Sequence, residues 1–253
     1  MPILIARGMR DKGFEPIMML NSLENENSIP KDIQVKVFAL GELERLISYI
    51  KSEGIKEIVL AGRFSKIDLL QFRPDLVWQS ILVRISNFQN DVLFKALIEC
   101  FEENGIQVAS QAKYLEDYVV MKGAIIGKPS KEELDDISFG YEIAKMVADA
   151  DIGQTVVVKR KTIFAVEAID GTNATILRGG QLAKEGAVAI KVSRTDQDWR
   201  VDVPALGAET IKNAIAANIR VLAVEAGKAF LLEKEEAFKL ANDNGLAIYG
   251  YEK

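Results

Sequence analysis

The chain has 253 residues, 49% of them hydrophobic, and a formal net charge of −5 at pH 7. That is ample apolar material for one large or two small domains, and the acidic balance supplies no basic field for nucleic acid. There is no histidine and one cysteine, Cys100, so an internal disulfide is excluded and acid, base or metal chemistry must rest on Asp and Glu, helped by Lys, Arg and amides.

The chain opens on a helix from Pro2, with proline in the first turn and Gly13 as the C-cap. Glu15 to Leu20 is expected to be a short buried strand. Leu43, Leu46, Ile47 and Ile50 have helical spacing, closed by Gly54. Ile58-Val59-Leu60-Ala61 reads as a strand running into a turn at Gly62-Arg63. Pro74–Ile85 and Asp91–Glu103 read as helices, and Ile106–Ala109 as a further strand. Cys100 lies on the apolar face of the second of these helices, where core filling is the expected role. Helices alternating with short apolar strands imply an α/β fold, with an N-terminal domain built on a largely parallel, Rossmann-like sheet.

Gly123 to Ser130 is the candidate junction, giving domains 1–127 and 128–253. A helix follows from Ser130, with Glu133 completing a capping-box pattern. Thr155–Lys159 and Thr162–Ala168 alternate like paired strands around Arg160-Lys161. Val188–Val192 is another strand and Ala208–Ala217 a helix. Val221–Val224 and Ala229–Leu232 are expected to form a hairpin around Gly227. A helix over Lys234–Asn244 and a strand over Ala247–Tyr251 complete a smaller, mixed α/β domain. No signal peptide opens the chain, and its apolar runs fall well short of the ~20 residues of a membrane span. A cytoplasmic protein is expected, with contact at the inner-membrane surface left open.

Two stretches concentrate the polar chemistry. In Phe164-Ala165-Val166-Glu167-Ala168-Ile169-Asp170-Gly171-Thr172-Asn173 a strand ends and a helix opens. Gly171 permits close backbone approach, and Thr172 or Asn173 is placed to cap a helix whose free N–H groups attract phosphate. An ordinary strand–turn–helix junction has the same pattern. In Gln197-Asp198-Trp199-Arg200-Val201-Asp202-Val203-Pro204 the proline makes the preceding backbone extended. Alternation then puts Asp198, Arg200 and Asp202 on one face, either as a solvated ion-pair ladder or as a carboxylate held by Arg200 in a cleft. A third stretch, Gly62-Arg63-Phe64-Ser65-Lys66, follows a strand and offers Arg63 and Lys66 to a phosphate, or is simply a basic loop. Carboxylate oxygens suit hard cations such as Mg²⁺, which usually serves phosphate chemistry. No Gly-x-Gly-x-x-Gly follows a strand, which argues against a dinucleotide oxidoreductase.

Together these stretches resemble the LpxI-type UDP-2,3-diacylglucosamine pyrophosphatase family. The likeness rests on Asp151-Ile152-Gly153-Gln154, Ala165-Val166-Glu167-Ala168 through Gly171-Thr172, Gln197-Asp198 with Arg200 and Asp202-Val203-Pro204, Gly207, Val224-Glu225-Ala226-Gly227-Lys228 and the Gly62…Ser65 loop. It implies hydrolysis of the pyrophosphate of UDP-2,3-diacylglucosamine to UMP and 2,3-diacylglucosamine 1-phosphate in lipid A biosynthesis. It also implies dependence on Mg²⁺, with Mn²⁺ as an alternative, and a homodimer whose two domains flank a cleft. The family's essential Asp-Val/Leu-Pro carboxylate matches Asp202.

The expected site then comprises Asp202, Asp198 and Arg200 as catalytic groups. Gly62, Arg63, Ser65, Lys66, Gln154, Gly171, Thr172, Asn173, Lys191 and Gln197 are expected to bind substrate, and Asp202, Asp170 and Glu167 to bind metal. Two departures stand out. Asn173 stands where the family usually has Asp, and the strand and glycine turn that normally precede the first helix are not in this sequence. The expectation is that Met1 is an internal start. A catalytically impaired nucleotide- or lipid-binding homologue is the alternative function.

Overall fold

The structure is a computed structural model that describes residues 1–21, 29–62, 72–86 and 90–253, apart from the side chains of residues 90 and 91. It divides into two compact units. The first is Met1–Leu115 with Trp199–Asp202, and the second Glu116–Asp198 with Val203–Lys253.

The first unit opens with α1 (Pro2–Asp11), which has proline in its first turn as expected. Two short parallel strand pairs follow. β1 (Ile17–Leu20) pairs with β2 (Gln34–Val37), and β3 (Glu57–Ile58) pairs with β4 (Gln107–Val108). A single Rossmann-like sheet is not seen among the described residues. β1 is wholly apolar yet only half buried along its length, where a central parallel strand would be covered on both faces.

Around these strands pack α2 (Leu43–Ser52), α3 (Leu76–Arg84) and α4 (Asn90–Glu103). The helical spacing of Leu43, Ile47 and Ile50 buries one face of α2. Asp75 caps α3 by accepting from Trp78 N at 2.9 Å, a contact worth about 0.5–2 kcal/mol. Trp78 is core, its indole N–H donating to Leu40 O at 2.7 Å. Cys100 is buried in the same cluster, and burial pushes its thiol above the usual range, which leaves it inert. Val201 joins this core, and Trp199 O accepts from Gln111 N at 2.9 Å. The four-residue return Trp199–Asp202 therefore belongs to the first unit.

The second unit begins upstream of the expected 127/128 junction. Its β5 (Gly123–Ile126) lies inside that expected boundary and is an edge strand of a six-stranded mixed sheet. The other strands are β6 (Thr155–Lys159), β7 (Thr162–Val166), β8 (Ala187–Lys191), β10 (Ile219–Glu225) and β12 (Ala247–Tyr251), in the order β5-β12-β10-β8-β6-β7. β8, β10 and β12 run parallel, while β5 and β6 pair antiparallel to their neighbours.

Strand alternation splits the core cleanly. Val156, Val158, Val188 and Ile190 face Ile137 and Ala144 of α5 (Lys131–Asp149). Val157, Ala189, Leu222 and Val224 pack with α6 (Gly171–Ala183), α7 (Ala208–Ala216) and α8 (Lys234–Asp243). The capping box at Ser130 and Glu133 is formed. The β6–β7 turn places both Arg160 and Lys161 at positive φ. Their N–H groups donate to the Asp136 carboxylate at 2.8 and 2.7 Å, which offsets the strain of a turn that usually needs glycine. α6 lies so close to its neighbours that a Cβ on Gly180 would stand 2.2 Å from Ala217 O.

Two expected elements are not formed. β10 does not turn back on itself at Gly227. Phe230–Leu231 (β11) instead pairs in parallel with Ala205–Leu206 (β9) in a separate two-stranded sheet, because β10 already has β8 and β12 on its two edges. Nor is Asp198–Asp202 an extended strand. Trp199-Arg200 form a turn and Asp202 takes a left-handed φ of +49°, so the one-face alternation of Asp198, Arg200 and Asp202 does not apply.

Candidate functional site

At one end of the six-stranded sheet the carboxyl ends of β8 and β10 meet the start of β6 and the end of β7. Thr155 pairs with Lys191, and Lys191 with Val224. Beyond the carboxyl ends of parallel strands is where open α/β sheets bind ligands. Lys191 closes β8 and is 7% exposed. Its Nζ donates to Thr172 Oγ1 at 2.6 Å, and that hydroxyl donates to Glu167 Oε1 at 2.9 Å. Gln154 N donates to Glu167 Oε2 at 3.2 Å. The structure thus brings together Gln154, Glu167, Thr172 and Lys191, four of the residues named from sequence. Gly153 is required there, because a Cβ would lie 2.4 Å from Glu167 O.

Asp170 points elsewhere. It accepts from Arg178 Nη2 at 2.9 Å and from Ala168 N at 3.0 Å. The Arg178 hydrogen bond holds its carboxyl below the usual carboxylate range. A carboxyl whose folded-state pKa is lowered stabilises the fold above its unfolded pKa. That contribution is lost as pH falls through the folded value. Asp170→Asn should therefore lower thermal stability at neutral pH and make no difference in strong acid. An equal deficit at both pH values would show that the pair contributes nothing.

Thr172 and Asn173 are not caps. Both sit inside the first turn of α6, after Asp170 and a Gly171 at φ +79°. Asn173 Nδ2 donates to Glu209 Oε1 at 2.9 Å, and its Oδ1 accepts from Thr210 Oγ1 at 3.1 Å. Its amide ties α6 to α7. Asn173→Asp would set a carboxylate against Glu209 and cost about 1 kcal/mol. The expected result is a lower melting temperature with an unchanged metal titration. A tighter metal affinity would instead put position 173 at an ion.

A second set of groups continues from β8. Arg194 is 6% exposed, its Nη1 donating to Asp151 at 3.2 Å, while its buried Nε has no hydrogen-bond partner among the described residues. Thr155 Oγ1 at the start of β6 is likewise buried without a partner among them. Thr195 N and Oγ1 donate to Asp149 at 2.7 and 2.8 Å. Glu225, at the end of β10, accepts from Tyr141 OH, Lys145 Nζ, and Ser193 N and Oγ. Burial, then the Glu225 charge, pushes the Tyr141 phenol well above its ordinary range. Arg194, Lys145 and Tyr141 are not among the residues named from sequence, and Glu225 entered only within the Val224–Lys228 stretch.

In the first unit Gly62 is exposed at φ +117°. Arg63, Ser65 and Lys66 lie outside the described residues. Asp202 is exposed, and Arg200 Nη1 donates to Glu102 Oε1 at 2.9 Å. In the second unit Gln197 is buried and its Nε2 donates to Asp198 O at 3.3 Å. No group of three or more Asp, Glu or Cys placed to hold a metal ion exists among the described residues. The residues therefore fit no preformed metal cage. No helix among the described residues is long and apolar enough to cross a membrane.

The second unit is thus an α/β domain whose sheet gathers, at the carboxyl ends of its central strands, buried cations, hydroxyls and a carboxylate, a class of site suited to anionic phosphoryl ligands. The LpxI N-terminal domain model matches residues 1–118 and the LpxI C-terminal domain model matches residues 121–249. The chain belongs to the LpxI family. It is 28% identical over 225 residues to the UDP-2,3-diacylglucosamine pyrophosphatase LpxI of Caulobacter vibrioides, a match that covers 83% of this chain and 80% of that protein.

Proposed function

We propose that this chain hydrolyses the pyrophosphate bond of UDP-2,3-diacylglucosamine, releasing UMP and 2,3-diacylglucosamine 1-phosphate for lipid A biosynthesis. The observation that carries the reading is the match of both LpxI domains, in order, over nearly the whole chain. The chemistry at the strands' carboxyl ends supports it. Lys191 and Arg194 supply positive charge for phosphate oxygens in a water-poor setting, where such contacts are strong. The Thr172 hydroxyl, fixed between Lys191 and Glu167, orients those groups and excludes free rotation.

Asp202 is the proposed catalytic carboxylate, orienting the attacking water, with Asp198 and Arg200 as its supporting groups. Asp202 is also the residue proposed to hold Mg²⁺ or Mn²⁺, together with phosphate oxygens. When bound, that ion would neutralise phosphate charge and the leaving UMP. Also proposed are a nucleotide-side, Rossmann-like first unit using Gly62, Arg63, Ser65 and Lys66, a homodimer, and a cytoplasmic location with peripheral contact to the inner membrane.

The test is release of UMP from UDP-2,3-diacylglucosamine by the purified protein with Mg²⁺. No release would refute the reading and favour a binding-only homologue. EDTA should abolish turnover and added Mg²⁺ or Mn²⁺ restore it. Full activity in EDTA would reject the metal while leaving the substrate standing.

A further inference from the structure

Ser193 is the first residue beyond β8 that no strand backbone holds. Val192 N donates to Gln154 O, and after it side chains take over. The Glu225 carboxylate, 7% exposed, accepts from Ser193 N at 2.9 Å and from Ser193 Oγ at 2.8 Å. Lys145 Nζ donates to Ser193 O at 2.7 Å and to both Glu225 oxygens at 3.3 Å. Tyr141 OH adds a bond to Glu225 Oε1 at 3.0 Å. All three polar atoms of a fully buried serine are therefore gripped by one largely buried ion pair, Lys145–Glu225. Desolvating such a pair offsets most of its attraction, so stability alone is a weak reason for it.

The grip sets the position of the residues on either side of Ser193. Arg194 is the next residue, Lys191 lies two before Ser193, and Asp149 fastens Thr195 on the far side. Arg194 keeps a buried Nε–H without an acceptor among the described residues. A buried guanidinium donor left open costs free energy unless a ligand completes it. Its fork geometry matches the oxygens of a phosphate.

We propose that Glu225 and Lys145 are positioning residues that fix Ser193 so that Arg194, beside Lys191, takes an oxygen of the substrate's pyrophosphate. This rests on the pyrophosphatase reading for its substrate, but the ligand chemistry is that of any diphosphate. Glu225→Gln keeps the shape and the acceptor for Ser193 but turns an amide toward Lys145 and removes the charge. The segment should then shift without losing its packing.

The test uses inorganic pyrophosphate and calorimetry on the full chain, so that it does not depend on turnover. Wild type should bind it, and both Glu225→Gln and Arg194→Lys should weaken binding at least tenfold while melting within a few degrees of wild type. In steady-state assays the same variants should raise KM more than they lower kcat. A merely structural role would instead lower the melting temperature and the active fraction, leaving KM unchanged. If the variants do not fold, the Nε–H resonance of Arg194 in wild type decides the matter. A saturable shift with pyrophosphate supports the proposal, and no shift overturns it. Unchanged pyrophosphate affinity in folded variants also overturns it. Absent UMP release with pyrophosphate binding intact would sink the substrate assignment alone.

Discussion

Asp202→Asn should lower turnover of UDP-2,3-diacylglucosamine on the order of 10²-fold or more, the usual consequence of losing a catalytic or metal-holding carboxylate. The melting temperature should hardly move. Asp202 is exposed, and surface substitutions of this kind usually stay within about 0.5 kcal/mol. The choice of asparagine matters because Asp202 has φ +49°. Asparagine tolerates the left-handed region, whereas alanine there would add roughly 1–2 kcal/mol of backbone strain and blur the result. Asparagine keeps the size and removes the charge. Near-wild-type turnover in saturating Mg²⁺ would remove Asp202 from the chemistry. A variant equally inactive at every Mg²⁺ concentration places it on the water, whereas recovery at high Mg²⁺ places it on the ion.

The elements legible in the sequence were those whose local signals agree with their packing. α5 has its capping box and buries the small residues Gly140, Ala144 and Ala148 on its inward face. β6 and β7 form the expected antiparallel pair, but β6 does not alternate in burial: both faces of that sheet are covered by helices, so Val156, Val157 and Val158 are all buried. The failures came where tertiary partners decide. A glycine turn at Gly227 looks the same whether the next strand folds back or joins another sheet. It joins β9 because β10's two edges are occupied. Val203-Pro204 does restrict the backbone, yet the restriction reaches only one residue back, so the Trp199-Arg200 turn was invisible.

Motif spacing singled out Glu167, Thr172 and Gln154, which stand close together or mirror one another across a hairpin, and hydrogen bonds join them. It could not find the ion pair of Glu225 and Lys145. These two are 80 positions apart, and only the register of β10 on β8 brings Glu225 to Ser193. Asn173 is a different case. An amide beside a suspected phosphate site suggested ligand binding, whereas its two ends are taken by Glu209 and Thr210 of α7.

Lys191→Met is expected to lower kcat/KM by about 10²–10³-fold, the scale of losing a preorganised charged donor to a phosphoryl group. Methionine replaces most of the aliphatic stem, so the packing around β8 is largely kept. The lost part is the ammonium that donates to Thr172 Oγ1 at 2.6 Å. Thr172 still donates to Glu167, but that buried carboxylate then lacks a neighbouring cation on this side. Leaving a buried charge less compensated costs stability, here about 1–3 kcal/mol. Adding Glu167→Gln removes the uncompensated charge, so the double variant should be more stable than Lys191→Met alone. The coupling from such a cycle should be clearly non-zero for residues joined through one hydroxyl, and near zero if Lys191 and Glu167 act independently. Strict additivity would mean that Thr172 does not link them. Full activity in Lys191→Met would mean that the phosphate lies elsewhere. A coupled loss of stability together with lost turnover would tie the Lys191–Thr172–Glu167 chain to the reaction, because the same hydrogen bonds that hold the strand end together would then also be those the substrate needs.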